Sequence, residues 1–510
     1  MRLRTAVVLG CALCLAAAAC GTILDLQPPP EQSTDGGSAL DSTMPGSDTG
    51  VDSPQADAPT DSPATDAAAD TPPPCAPLDA ALPDGMTDAE TVFYPMNQVV
   101  IDDAGDFSWQ FFDTSALAIN TANYAGGTFD GRYVYFVPAN SGMVTRYDTT
   151  MPFVRAAFST FDTTTLGTQE EDFAGAVYDG RFVYLVPHFG HLAAYPGVVV
   201  RFDTSATVFS EASAWSIFDT ATLPVPDGGT TTRGFSGGVF DGRFVYLVPD
   251  HVLTKDVGRV ARYDTAGTDG GTTPADAGDA GDGGPPHFGS AAQWETFDTT
   301  TQDQSALGFI AGVFDGRYVY LVPYVNGGPT NSGASGVISR YDTMGQFTST
   351  GSWSSYDLTQ VSSRAVAFFG GAFDGRHVYL SPYNRNVSLR FDTQKGLGIA
   401  SAASWDDKDL TTLVHGPEGG VPDFAGAAFD GRFVYFVPNN SGELVRFDTL
   451  SNCWSAYDVS KINAAATTFV GAIYDGRWLY LAPKGTVIAR FYTKSATWMP
   501  NLPAFKGSFY

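Results

Sequence analysis

The chain has 510 residues, a formal net charge of -27 and five cysteines, and 43% of its residues are hydrophobic. The negative charge argues against nucleic acid and anionic membrane surfaces as partners, because both would repel the protein. The apolar fraction is ample for a large core, and an internal repeat determines the architecture more directly than the length does.

The first residues are typical of an export signal. A basic start is followed by an apolar region, Ala6 to Ala19, which is too short to be a stable membrane anchor. It ends in Ala17-Ala-Ala-Cys20-Gly21, which resembles a bacterial lipobox with Ala17 in place of the more usual Leu. The resemblance implies that residues 1–19 are removed and that an acylated Cys20 holds the protein at the bacterial cell envelope, on the outer membrane or the surface. The alternative is ordinary signal cleavage beside an uninvolved cysteine.

Residues 20–90 are predicted to be a disordered acidic tether. Between Gly21 and Glu90 there are 14 Asp and Glu and no Lys or Arg, among Ala, Pro, Thr, Ser and Gly. Such a segment cannot bury enough apolar surface to offset the entropy lost on ordering. Cys75 lies in this tether, and export would permit a disulfide between it and Cys453, provided that their geometry allows one.

Three phrases recur through residues 91–510 and define a repeat. The first is Phe-Asp-Gly-Arg-Tyr-Val-Tyr-Phe-Val-Pro or a close variant, with copies that begin at Phe129, Tyr178, Phe240, Phe314, Phe373, Phe429 and Tyr474. The second is an aromatic residue, usually Trp, followed four residues later by Asp, with copies that end at Asp113, Asp162, Asp219, Asp298, Asp357, Asp409 and Asp458. The third is Arg-Tyr/Phe-Asp-Thr, with copies that begin at Arg146, Arg201, Arg262, Arg340, Arg390, Arg446 and Arg490.

Each unit predicts four antiparallel strands. Asp130-Gly131 favours a tight hairpin turn with positive φ, Tyr133 to Val137 is apolar on both faces, and Pro138 ends the strand. The third and second phrases supply the two outer strands. Seven units predict an all-β fold, a seven-bladed β-propeller of four-stranded antiparallel blades. The stretch that contains Trp109 matches the outer-strand phrase better than Ala496 to Pro500, so the N-terminal strand is predicted to close the ring.

This arrangement resembles seven-bladed propellers of the kelch and galactose-oxidase type, over about residues 107–510. The resemblance implies the fold and carries no functional residues across. Pairs such as Gly126-Gly127 precede the hairpin turn, whereas a kelch repeat places them differently.

The repeated arginines are predicted to be structural. One Arg follows each Asp-Gly and one begins each third phrase, so these positions supply 14 of the 28 basic residues. A binding site on a propeller is asymmetric, whereas a residue present in every blade usually holds the blades together. We therefore expect these arginines to pair with the repeated Asp residues.

Function is predicted in the loops that differ between blades. The loop after the second strand and the loop between blades open on the same face in propellers of this strand order. Their His, Tyr and Asn side chains suit recognition of a carbohydrate or a protein. The candidate binding residues are His188, His191, Tyr195, His251, Tyr324, Tyr383, Asn384, Asn439 and Asn440. The alternative is that these are merely polar loops.

No catalytic, metal or cofactor site is predicted. There is no His-Glu-x-x-His motif, and His188 and His191 have no further ligand at metal-binding spacing. Copper chemistry of the galactose-oxidase kind is disfavoured, because Cys453 lies inside an outer-strand phrase. The insertion Thr265 to Gly284 has Asp oxygens suited to Ca²⁺. Its composition matches the acidic tether, however, so a solvated loop is predicted.

The sequence thus predicts a monomeric, non-enzymatic binding or scaffolding module of the bacterial cell envelope. Its partner would be a cell-surface glycan or protein, with no nucleic acid, and it would meet a membrane only through its lipid. One alternative is a glycan-active hydrolase or lyase, or an oxidoreductase, with a site at the mouth of the central channel. Carboxylates, His and Tyr converging on the axis would favour that enzyme. A purely structural envelope protein is a third hypothesis.

Overall fold

The computed structural model describes residues 109–117, 121–167, 172–188, 197–225, 231–252, 255–266, 288–326, 333–414, 416 and 421–493. The predicted signal peptide, the acidic tether, and therefore Cys20 and Cys75, lie outside these ranges, as do most of the Asp-rich insertion and Ala496 to Pro500. No helix among the described residues is long and apolar enough to cross a membrane.

Seven sheets of four antiparallel strands make up the fold, each a blade with its strands in the order A, B, C and D. The predicted seven-bladed all-β propeller is thus confirmed. The A strands of blades 1 to 7 are Tyr124–Phe129, Phe173–Tyr178, Phe235–Phe240, Phe309–Phe314, Phe368–Phe373, Phe424–Phe429 and Phe469–Tyr474. The B strands are Tyr133–Pro138, Phe182–Pro187, Phe244–Pro249, Tyr318–Pro323, His377–Pro382, Phe433–Pro438 and Trp478–Pro483.

The two outer strands carry the other two phrases. The C strands are Met143–Asp148, Val198–Asp203, Arg259–Asp264, Val337–Asp342, Val387–Asp392, Glu443–Asp448 and Val487–Tyr492. The D strands are Phe158–Asp162, Trp215–Asp219, Trp294–Asp298, Trp353–Asp357, Trp405–Asp409, Cys453–Asp458 and, in blade 7, Trp109–Asp113. Short 3₁₀ turns precede or follow most D strands, as at Ala212–Ala214 and Thr220–Thr222, and a two-stranded hairpin of His251–Val252 and Lys255–Asp256 projects from blade 3.

The N-terminal strand closes the ring, as predicted. Trp109–Asp113 pairs with strand C of blade 7, with Trp109 opposite Phe491 and Asp113 opposite Val487. Each A strand contacts the A strands of both neighbouring blades, and that of blade 7 contacts that of blade 1. The A strands therefore surround the propeller axis.

The glycine pairs in the A strands allow tight packing against strand B. In blade 1 the pairing register shifts between Tyr124 and Gly127, where Gly126 has a φ of +97°. A Cβ on Gly127 would lie 1.9 Å from the carbonyl oxygen of Tyr135, so only glycine fits there. The first glycine of the pair thus lies in a β-bulge, and the second allows the backbone of strand A to approach that of strand B closely.

The repeated Asp closes the A–B turn with its side chain, which differs from the predicted Asp-Gly turn. In blade 4 the backbone N–H groups of Arg317 and Tyr318 donate to Asp315 Oδ1 at 2.8 and 2.6 Å. Asp315 therefore precedes the turn, and Gly316 takes the positive φ of +97° inside it. Asp315 Oδ2 accepts the buried hydroxyl of Tyr320 at 2.7 Å. The same Asp–Tyr bond is present in all seven blades, at 2.6 to 2.8 Å.

The arginines of the first phrase pair with the repeated Asp of strand C, as predicted. Six such ion pairs, at 2.7 to 2.8 Å, join Arg132 to Asp148, Arg181 to Asp203, Arg243 to Asp264, Arg317 to Asp342, Arg376 to Asp392 and Arg432 to Asp448. In blade 7 the Asp is replaced by Tyr492, and Arg477 lies over its ring.

The prediction that the third-phrase arginines pair with the repeated Asp is wrong. Their Nε atoms donate instead to strand D side chains: Ser159, Ser216, Glu295, Ser354, Asp406, Ser455 and Gln110. Their guanidinium groups also lie over aromatic rings, as Arg340 does over Tyr318 at 4.2 Å. The cause is register, because the third-phrase Arg faces strand D inside the sheet rather than the turn that carries the Asp.

Candidate functional site

One residue in each blade follows the proline that ends strand B, and these seven residues form what we call the axial ring. They are Ala139, His188, Asp250, Tyr324, Tyr383, Asn439 and Lys484. The N–H of each donates to the carbonyl oxygen of the residue just before strand A of the same blade, at 2.8 to 3.1 Å. The seven positions are therefore equivalent in backbone, and they border the axis because the A strands do.

The axial ring lies on the face where the B–C loops and the D–A connections meet. Thr163, directly after strand D of blade 1, donates its N–H to Gly142 in the B–C loop, and Thr220 does the same to Gly197 in blade 2. The predicted coincidence of these two sets of loops on one face is confirmed. The Asp-Gly turns and the C–D hairpins lie at the opposite ends of the strands.

A carboxylate with two histidines forms the polar part of the ring, in blades 2 and 3. Asp250 is buried, and its Oδ2 accepts a hydrogen bond from Ser236 Oγ at 2.6 Å. The same oxygen lies 2.7 Å from His251 Nδ1 and 3.9 Å from His188 Nε2. The two imidazole rings are 6.1 Å apart at an interplanar angle of 84°.

The pKa values of the two histidines are shifted in opposite directions. Burial lowers the pKa of His188, and the charge of Asp250 only partly offsets it. Burial also acts to lower the pKa of His251, but the hydrogen bond to Asp250 and the charges of Asp250 and Asp256 together outweigh it, and the pKa is raised. At neutral pH the site therefore presents a neutral imidazole beside an imidazole that is held by a carboxylate.

An aromatic cluster forms the adjoining part of the ring, in blades 4 and 5. Tyr324, Tyr383 and Phe369 lie with ring centroids 5.5 to 5.6 Å apart, and all three are partly exposed. Burial raises the pKa of Tyr383, which its interactions with Tyr324 and Asn439 partly offset. Both hydroxyls thus stay protonated and can donate hydrogen bonds beside an apolar surface.

Blades 6 and 7 supply an amide, a carboxylate and an amine. The side chain of Asn439 is buried, and its Oδ1 accepts no hydrogen bond from the described residues. Burial raises the pKa of Asp423 and lowers that of Lys484, and the charge of each partly offsets the shift of the other. Asn440 is engaged in the loop itself, because its Oδ1 accepts the N–H of Asp423 and its Nδ2 donates to Val421.

The structure brings most of the described candidate residues to one place. His188, Tyr324, Tyr383 and Asn439 belong to the axial ring, and His251 adjoins it. Asn384 lies one residue further along its loop and is exposed. His191 and Tyr195 lie outside the described residues. Their roles in binding stay predictions.

Sequence reasoning missed Asp250, Ser236, Phe369, Asp423 and Lys484 as members of the site. Asp250 and Lys484 could have been found by aligning the seven repeats at the strand B proline and reading the next residue. Phe369 has a weaker signal, since Ala, Ser, Ile or Val stands at the same place in the other A strands.

Two further chemical expectations concern metal ions and a disulfide. No group of three or more His, Cys, Asp or Glu within the described ranges is arranged to hold a metal ion. Cys453 begins strand D of blade 6 and is disulfide-bonded. Its partner lies outside the described residues, so the pairing with Cys75 stays a prediction.

The strand pairing and the asymmetric axial ring define a seven-bladed β-propeller with a candidate ligand site at one mouth of its channel. No protein-family model matches the chain, and no curated protein matches it. Among solved structures, it is similar to virginiamycin B lyase from Staphylococcus aureus, with 13% identity, a TM-score of 0.48, and coverage of 76% of this chain and 99% of that chain.

Two other solved structures show similarities of the same order. One is YCF48 bound to D1 peptide, with 11% identity, a TM-score of 0.42, and coverage of 76% of this chain and 97% of that chain. The other is the β-propeller domain of Cps50 (Swd1) from Myceliophteria thermophila, with 8% identity, a TM-score of 0.44, and coverage of 75% and 99%. At these values the similarities give no functional information.

Proposed function

We propose that the protein is a non-enzymatic binding module whose ligand, a glycan or a protein, rests on the axial ring. The observation that carries this proposal is the diversity of the ring on a repeated backbone. Seven equivalent positions hold six residue types, Ala, His, Asp, Tyr, Asn and Lys. A residue that stabilises blades would recur, as the turn Asp does, so the variation indicates selection for a ligand that lacks sevenfold symmetry.

The chemistry of the ring suits a ligand with an apolar face and polar edges. The cluster of Tyr324, Phe369 and Tyr383 offers partly exposed rings, which pack on the apolar face of a sugar or on an apolar side chain. Asp250, Asn439 and the tyrosine hydroxyls offer donors and acceptors around it. Such a ligand needs no covalent chemistry from the protein.

A glycan array with the soluble protein, residues 91–510, with and without calcium, tests this proposal. Binding should be weakened about tenfold or more by Tyr324→Ala and by Asn439→Ala, because each removes a contact at the centre of the site. The matched control is Met344→Ser, a residue that is 82% exposed in a C–D hairpin on the other face. If no glycan binds and crosslinking on cells recovers a protein through the same residues, the ligand is a protein. Binding that is unchanged in both ring variants would contradict the proposed site.

The second candidate is a hydrolase, a lyase or an oxidoreductase at the same mouth, and the His188–Asp250–His251 cluster favours it. A neutral imidazole near a buried carboxylate can act as a general base, and protonated tyrosines can act as acids. Carboxylates, His and Tyr do converge on the axis, which is what the enzyme hypothesis requires. Turnover of a bound glycan that His188→Ala abolishes, with binding retained, would select this candidate over the binding module.

The proposed setting of this module is the bacterial cell envelope. Its support is the sequence Ala17-Ala-Ala-Cys20 and the acidic tether that separates Cys20 from the propeller. We further infer a kelch-like type of propeller from the architecture alone, seven blades of four antiparallel strands, since the glycine pairs of the A strands stand elsewhere than in a kelch repeat. Incorporation of a palmitate analogue into the wild-type protein but not into Cys20→Ser tests the anchor. Equal labelling of both proteins would contradict it.

A further inference from the structure

The C–D hairpins of four blades each cover an arginine of the preceding blade with a phenylalanine. These residues are Phe153, Phe209, Phe288 and Phe347, in blades 1 to 4. The guanidinium groups of Arg490, Arg146, Arg201 and Arg262 lie over these rings in turn, at 4.2 to 4.3 Å from the centroids. Each pair combines a cation–π contact with burial of the ring between two blades.

A second contact joins the outer edges of the same blades. The aromatic residue three positions after the start of strand D stacks on the first residue of strand D in the next blade. Phe161 stacks on Trp215, Phe218 on Trp294 and Phe297 on Trp353, with centroids 4.3 to 4.9 Å apart and planes within 10° of parallel.

Both contacts are changed between blades 5 and 6. Lys408 stands where the stacking aromatic would be, and Trp454 stacks instead on Phe436 of its own blade, at 5.5 Å. The C–D hairpin of blade 6 is short and carries no phenylalanine, and its Leu450 is 63% exposed. Arg390, the equivalent of the covered arginines, has the ring of Phe447 at 5.4 Å.

A cavity of about 140 Å³ lies at this boundary, lined by Arg390, Asp406, Lys408, Phe447 and Trp454 among others. Cavities of about 150 Å³ hold a benzene ring. Arg390 Nε is held by Asp406 Oδ2 at 3.0 Å, which orients the guanidinium. The cavity thus combines a cation and aromatic faces, the surroundings that phenylalanines have at the four boundaries described above.

We propose that an aromatic side chain of the carboxyl-terminal residues 494–510 occupies this cavity. The N–H of Thr493 donates to Arg477 at 3.0 Å, as the N–H of Thr449 does to Arg432 in blade 6. The chain therefore leaves blade 7 on the face of the C–D hairpins, one blade away from the cavity. Residues 494–510, 17 residues in all, can span up to about 55 Å when extended, which exceeds the width of a blade several times.

The composition of this segment fits the cavity. It carries Trp498, Phe505, Phe509 and Tyr510, and its charged side chains are Lys494 and Lys506. An apolar, basic segment is attracted to an acidic protein, and its lysines complement Asp406 and Asp407 at the rim. Residues 91–108, which precede Trp109, also carry aromatic residues, but they include Asp102, Asp103 and Asp106, so electrostatics favour the carboxyl-terminal segment.

Site-specific photo-crosslinking in the full chain tests this inference. Benzoylphenylalanine in place of Leu450, which is 63% exposed in the C–D hairpin of blade 6 two residues from the cavity-lining Asn452, should crosslink, on irradiation, to a peptide from residues 494–510. The yield should fall about tenfold or more when Trp498, Phe505, Phe509 and Tyr510 are changed to serine, because the aromatic burial is lost. The matched control is Met344→benzoylphenylalanine, the equivalent hairpin position in blade 4, which is 82% exposed and should not crosslink to the tail.

A second measurement uses a cavity-filling variant. Lys408→Phe restores the aromatic residue of the other blades, so it should occupy the cavity from within and release the tail. Trypsin should then cleave after Lys506 about tenfold faster than in the wild-type protein. Crosslinks from position 450 to residues 91–108 or to another molecule, or equal cleavage of Lys408→Phe and the wild-type protein, would overturn the proposal.

Discussion

Asp315→Ala should destabilise blade 4 far more than its place in a surface turn suggests. Asp315 Oδ1 accepts two backbone N–H groups, and its Oδ2 accepts the hydroxyl of Tyr320, whose side chain is fully buried. Burial and the charge of Asp315 raise the pKa of Tyr320, so the hydroxyl is a donor at all ordinary pH values. Alanine would leave that donor buried without its acceptor, and would leave two turn N–H groups to water.

The expected loss is about 3–5 kcal/mol. An orphaned buried hydroxyl costs about 1–3 kcal/mol, and each turn N–H that loses a charged acceptor but reaches water costs about 1 kcal/mol. With an unfolding entropy of about 2.1 cal/mol/K for each of roughly 385 residues, the Tm should fall by about 4–6 °C. Asp315→Asn, which keeps the amide acceptor for the turn, should lose about half as much.

Scanning calorimetry checks this, with Asp219→Ala as the matched control. Asp219 is exposed, and its Oδ1 accepts the N–H of Ala221 at the start of a 3₁₀ turn, so its removal should cost about 1 kcal/mol. Equal decreases in Tm for the two variants would show that the bond to the buried tyrosine adds nothing.

Three further predictions concern pH, glycine and the disulfide. The raised pKa of His251 stabilises the fold below its ordinary value of 6.5, and this contribution is lost as pH rises through the folded-state pKa; the deficit of His251→Gln in Tm should therefore shrink with rising pH. The lowered pKa of His188 has the opposite effect, so His188→Gln should gain stability relative to the wild-type protein as pH falls below 6.5. If the Tm differences of both variants from the wild-type protein do not vary with pH, both predicted pH dependences are contradicted. Gly371→Ala should lower the free energy of unfolding by about 2–4 kcal/mol, because the new Cβ would lie 2.4 Å from the carbonyl oxygen of Tyr379. The control is Gly289→Ala, whose Cβ would have no atom within 4 Å and which should leave the Tm unchanged. Equal Tm values for the two variants would refute this steric argument. Peptide mapping of the unreduced protein should find Cys453 linked to Cys75, and a link to any other cysteine would rule out the predicted pair.

The blade count, the strands and the closing strand could be predicted because they depend on local patterns that the chain repeats seven times. Alternation, proline and the aromatic-to-Asp phrase are read directly from the sequence, and repetition averages out the uncertainty of each copy. Closure by Trp109 followed from a comparison of two segments with the same phrase. These features need no knowledge of how side chains meet across the sheet.

The role of Asp in the turn could not be predicted by the same means. Asp-Gly is a common centre for a two-residue hairpin, and that statistic places both residues inside the turn. A carboxylate can instead accept backbone N–H groups, and it then competes with the backbone pattern. Which of these two turns forms depends on Tyr320, five residues after Asp315, because its hydroxyl gives the second carboxylate oxygen a buried partner. The third-phrase arginines were misassigned for a related reason, since the residue opposite each arginine depends on the pairing of strands C and D, which places Arg340 opposite Ser354.

Repetition also separates stability from function in this propeller. Residues that recur in every blade, such as the turn Asp and its tyrosine partner, are engaged in bonds within the blade. Two groups of departures from the repeat lie at the axial ring on one face and at the boundary between blades 5 and 6, while single exceptions such as Tyr492 lie elsewhere. The ring combines a His–Asp–His cluster with a tyrosine pair, and the boundary replaces a stacked aromatic with Lys408. Since the regular positions already account for the blades, these two sets of exceptions are where selection for a ligand and for a docked segment would act.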